Sequence, residues 1–62
     1  MPLDPRLTAE ELLRLLGVQA EETALKRAAA FLQANDIDNA RDWLEVRAHV
    51  RQIMKWGGDT RH

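Results

Sequence analysis

An all-α fold is what this sequence predicts: a short first helix followed by an antiparallel pair of longer ones. Three observations predict it. Apolar residues recur at spacings of three and four through three separate segments, the period of a helix with one buried face. Helix punctuation separates those segments: Gly17, then Asn35-Asp36, then Gly57-Gly58. The chain has 62 residues, enough for one domain, and nine of its 28 hydrophobic residues are alanines, which suit close helix packing but bury little surface.

The first helix is expected over residues 8–16. Thr8 and Glu11 have the spacing of a capping box, and Leu7 and Leu12 stand where a hydrophobic staple would close over it. Leu12, Leu13, Leu15 and Leu16 give the helix its apolar content, and Gly17 supplies the left-handed stop. Such a helix needs packing to persist.

The second helix is expected over 20–34. Glu21 and Glu22 occupy its first turn, where the positive end of the helix dipole favours carboxylates. Ala24, Leu25, Ala28, Phe31 and Leu32 form its apolar stripe, and Ala29, Ala30 and Ala34 keep the remaining faces slim. Asn35 tolerates the left-handed conformation that ends a helix, and Asp36 or Asp38 can cap the next one.

The third helix is expected over 37–56, with a mobile polar tail at 57–62. Its apolar residues fall into two lobes. Ile37, Ala40, Leu44 and Ala48 make the first lobe; Trp43, Val46, Val50, Ile53 and Met54 make the second. Together they span more than the arc needed to face one core. The second helix is expected to cover the first lobe, with Phe31 and Leu32 packed on Ile37, Ala40 and Leu44. The first helix is too short, on this reading, to cover the second lobe as well.

Composition narrows function. With no cysteine, the chain cannot staple a small core with disulfides, and two histidines do not make a structural zinc site. Oligomerisation or docking on a larger protein is the remaining remedy for a domain of this size. A net charge of −1 argues against binding nucleic acid through bulk charge. No apolar run is long enough to span a membrane, and the Met1-Pro2-Leu3-Asp4-Pro5 start lacks the features of a signal peptide, so a cytoplasmic protein is expected. The chain has no Ser, Tyr or Cys and three Thr, leaving few nucleophiles, so no enzyme and no cofactor are expected.

Ala28, Phe31, the Asn35-to-Ala40 turn and Leu44 are spaced so that residues 21–54 resemble one tetratricopeptide repeat. The resemblance implies a helical hairpin. The run from Lys26-Arg27-Ala28 to Trp43 also resembles short bacterial proteins of unknown function. Residues 7–18 are similar to the opening helix and turn of excisionase-like and repressor-like helix-turn-helix domains, which implies DNA binding.

Two function classes follow. The leading one is a small protein–protein interaction or assembly module, a homodimer or a subunit or inhibitor docked on a larger protein. Its partner surface is expected in the second lobe: Trp43, Val46, Val50, Ile53 and Met54, with Trp56 as an added anchor. The alternative is a small DNA-binding regulator using Lys26, Arg27, Arg47, Arg51 and Lys55 as phosphate contacts. Glu45 and His49, four apart and near Asp38 and Asp42, read as a solvated acidic face rather than a metal site.

Overall fold

The computed structural model describes residues 3–59, and the side chains of residues 3–55. Its elements are α1 (Pro5–Leu16), a single 3-10 turn (Gly17–Gln19), α2 (Ala20–Gln33) and α3 (Ile37–Asp59), with no strand among the described residues. The fold is all-α. The three separate helices expected from the sequence are two unbroken helical runs, because the 3-10 turn carries the chain from α1 into α2 without a loop.

α1 begins three residues earlier than its expected cap. Asp4, not Thr8, is the N-cap: its side chain accepts from the backbone N–H of Arg6 and Leu7, and Pro5 follows where its missing N–H costs nothing. Thr8 is already helical, its N–H bonded to the Asp4 carbonyl, and Glu11 reaches forward to Arg14 instead of back to a cap. Gly17 ends α1 at φ 61°, as the sequence predicts, and its N–H returns to the Leu13 carbonyl.

The α2–α3 turn is a Schellman motif. Asn35 takes φ 63°, its N–H bonds the Leu32 carbonyl at 3.0 Å, and the Asp36 N–H bonds the Phe31 carbonyl at 2.8 Å. Asp36 then caps α3, one carboxylate oxygen accepting from the Asn39 backbone at 3.4 Å and the other from the Asn39 side chain at 2.7 Å. α3 continues through Gly57-Gly58 to Asp59, past the stop expected there; the rest of the expected tail, 60–62, lies outside the described residues.

The core is built from small side chains. Ala20, Ala24 and Ala28 follow one another at every fourth position of α2, and each is at most 1% exposed. They let α2 lie close against α3, whose Val46 and Val50 are fully buried. Ala9 of α1 joins Ala20, Ala24, Val46 and Val50 in one cluster, with Leu3, Leu12, Leu13, Trp43 and Ile53 packed around it.

This arrangement takes Val46 and Val50 out of the expected partner surface. Val46, Val50 and much of Trp43 and Ile53 are sealed inside their own chain by α1 and α2. The reason is length. With 12 residues α1 runs for about 18 Å, whereas Trp43 to Ile53 covers about 15 Å of α3. The Asp4 cap adds the turn that a start at Thr8 lacks, and Ala9 brings the helix close.

The first lobe has the opposite fate. Ala40 is buried, but Ile37 is 49% exposed and Leu44 41%. Across the turn Leu32 is 50% exposed, so the expected seal of Leu32 on Ile37 and Leu44 does not form.

Candidate interaction face

The back of the hairpin, away from α1, carries the most coherent apolar surface among the described residues. Leu25 and Leu32 stand seven residues apart on α2, which places them within about 20° of one another around the helix. Ile37 and Leu44 have the same relation on α3, and Arg51 continues that line by a further seven. Glu21 lies one turn before Leu25. Two rows result, Glu21–Leu25–Leu32 and Ile37–Leu44–Arg51, one on each helix.

An ion pair places both rows on the same side. Glu21 Oε2 lies 3.4 Å from Arg51 Nε and 3.5 Å from an Arg47 terminal nitrogen, so the carboxylate at one end of the α2 row joins the guanidinium at one end of the α3 row. The rows therefore border one face, closed at one end by the Asn35-Asp36 turn and at the other by this charged clasp. Between the two ends the four large apolar side chains are 41–50% exposed. The Nε of Arg47 is enclosed and finds no hydrogen-bond partner among the described residues, so Arg47 meets Glu21 through its outer nitrogen.

The opposite side of the hairpin is occupied. The Arg27 guanidinium stacks over the Trp43 ring at 5.1 Å from its centroid, and α1 packs on Val46 and Val50. Of the expected interface residues, then, Val46 and Val50 are interior, while Trp43 and Ile53 are half-buried in the core wall. Met54 is exposed at 38%; the Trp56 side chain lies outside the described residues.

The five expected phosphate contacts are dispersed. Lys26 pairs with Glu22 at 3.3 Å, Arg27 is on Trp43, and Arg47 and Arg51 share Glu21, leaving exposed Lys55 with no ion pair among the described residues. Four of the five meet a partner within the chain, so the strip presents less free positive charge than the sequence implies.

The remaining described surface offers less. A cleft of about 350 Å³ between α1 and α3 is lined by Arg6, Glu10, His49, Gln52 and Ile53, with Arg6 and Glu10 paired 3.7 Å apart. Among the described residues no group of three or more His, Cys, Asp or Glu side chains could hold a metal ion. Leu7, Leu15 and Val18 are also exposed, at 62%, 65% and 81%, but Leu7 and Leu15 lie about 80° apart around α1 and no second helix extends them.

Leu25, Leu32, Ile37 and Leu44 were absent from the surface the sequence predicts. The signal was present as two seven-residue spacings, one on each helix.

Fold and face together define a small all-α protein whose helical hairpin is covered on one side and open on the other. No described helix is long and apolar enough to cross a membrane. Compared with known proteins, the chain matches no family model, no curated protein and no solved structure.

Proposed function

We propose that the protein is a non-enzymatic interaction or assembly module that docks through the open face of its hairpin. One observation carries the reading: four half-exposed aliphatic side chains, two on each hairpin helix, in rows that end at the Glu21–Arg51 ion pair. Soluble monomers seldom expose a continuous apolar patch unless it meets something. The rest of the chain supplies a scaffold, since α1 and the alanine seam hold α2 and α3 in fixed relation without using the exposed row.

The test is the double variant Leu25→Glu/Leu44→Glu. Both side chains already reach solvent, so the variant keeps its helical circular dichroism. The native chain is expected to associate, with itself or with a larger protein isolated from the same cells, and the variant is expected to lose that association. A native chain that stays monomeric and retains nothing the variant fails to retain would refute the reading.

A further inference from the structure

From Pro5 to Gln33 the chain is helical throughout, and it bends only at the 3-10 turn Gly17–Gln19, all three residues of which are exposed. A 3-10 stretch inside a helical run commonly marks a hinge. No side chain caps the turn, and nothing lies within 4 Å of a Cβ added at Gly17. The bend therefore depends on the Gly17 backbone, at φ 61° and ψ −128°, which turns α1 onto α3. The flanking sequence also fits an unbroken helix. At 100° per residue, straightening the turn brings Ala9, Leu13, Ala20 and Ala24, which share one core in the bent chain, within about 60° of one another. On the far side of that helix the exposed Leu7 and Val18 fall into line with Leu25 and Leu32, within about 40°.

We propose that this turn is a hinge through which α1 exchanges between two copies of the chain, each straightened Pro5–Gln33 segment seating its α1 on the other copy's Val46 and Val50. The seat itself identifies the occupant. It is already filled by the chain's own α1, so the identical helix of a second copy restores the same contacts and only the bend is given up. Glycine takes the bend freely and the helix poorly, whereas an L-residue has the opposite preferences. Gly17 thus holds the closed monomer as the main form in dilute solution, and rising concentration drives the exchange. The exchange uses the sealed side of the hairpin and is independent of docking at Leu25, Leu32, Ile37 and Leu44.

Chirality at residue 17 tests this in chains made by synthesis. L-alanine there disfavours the bend and favours the helix; D-alanine does the reverse. Each chain, the one with Gly17 included, also carries Glu10→Cys and Gln52→Cys, exposed positions on the two walls of the α1–α3 cleft in a chain that has no cysteine of its own. A short bismaleimide joins this pair within one chain in the closed form and between two chains in the exchanged form. The chains are refolded at millimolar concentration, comparable with the effective concentration of a short tether, and dimers are isolated by size exclusion, crosslinked and denatured. Gly17→Ala should tighten the dimer about tenfold or more and D-alanine should weaken it several-fold, with covalent links between chains. Dimers whose links all lie within single chains overturn the proposal; they are what docking through the open face produces. Equal dimerisation with the two alanine enantiomers overturns it, and so does the absence of dimer from both the Gly17 chain and Gly17→Ala. If Gly17→Ala loses its helical circular dichroism, the Gly17 chain against D-alanine decides alone: no dimer, or equal dimerisation, overturns the proposal.

Discussion

Truncating Val50 to Ala should remove a large part of the stability of this protein. Val50 is fully buried and sits in the cluster joining α1, α2 and α3. Losing two methyl groups forfeits about 1.6 kcal/mol of transfer free energy, and the residual cavity adds roughly 1 kcal/mol if the neighbours do not close in. The higher helix propensity of Ala returns about 0.5 kcal/mol. The net loss is on the order of 2 kcal/mol, against the ~3–5 kcal/mol that a single core of this size supplies. For a domain this small, that corresponds to a fall in Tm of about 8–16 °C. Leu44→Ala is the matched control: it removes more carbon, but from a side chain 41% exposed. In dilute solution it should cost less than half as much. Thermal melts followed by circular dichroism decide the matter. A Val50→Ala melt within about two degrees of native, or a Leu44→Ala loss exceeding it, would refute the placement of the core on the Val46–Val50 side.

Three local predictions follow from the helix ends. Gly17→Ala should destabilise by about 1–3 kcal/mol because φ 61°, ψ −128° is closed to L-residues; nothing lies within 4 Å of an added Cβ, so D-alanine placed there by synthesis should melt near native. Asp4→Ala should lower unfolding free energy by about 0.5–2 kcal/mol, whereas Thr8→Ala should change it by less than about 0.5 kcal/mol, and urea titration of the pair identifies the true cap. Asn35→Gly should raise stability by up to about 1 kcal/mol, because glycine takes the left-handed φ of 63° without the strain on a Cβ; a loss in urea titration would contradict the assignment of the turn.

The punctuation was legible where one residue type has one physical use. Gly17 and Asn35 both adopt positive φ, the conformation each was read for. The α1 start was misread because Thr8-Ala9-Glu10-Glu11 satisfies the capping-box spacing while Asp4-Pro5, just upstream, satisfies a cap as well. A sequence offers both, and the one that adds a turn of packed helix prevails. That extra turn then decides the larger question. Both lobes of α3 have helical period, and period alone cannot say which lobe a neighbour covers. The outcome depends on the reach of α1 and on how closely backbones approach at Ala9, Ala20 and Ala24. Attention to the large side chains points elsewhere, toward Leu25, Leu32 and Leu44, and those are the residues left in water. Phe31 shows the same bias: expected at the centre of the core, it is half-buried near the turn.

One hairpin face is sealed within the chain, and the other is the docking surface proposed for a partner, a second copy of the chain included. Melting temperature as a function of protein concentration tests both halves together. By mass action, a dimer that forms only from folded chains raises its own Tm as concentration rises. Over roughly a hundredfold range the native chain should therefore gain several degrees, and Val50→Ala should show the same rise from a lower starting point. Leu25→Glu/Leu44→Glu should give a concentration-independent melt that is still cooperative. A native Tm that stays flat over that range in a chain that also retains no larger protein lost by Leu25→Glu/Leu44→Glu, or a concentration dependence undiminished in that variant, would contradict the account.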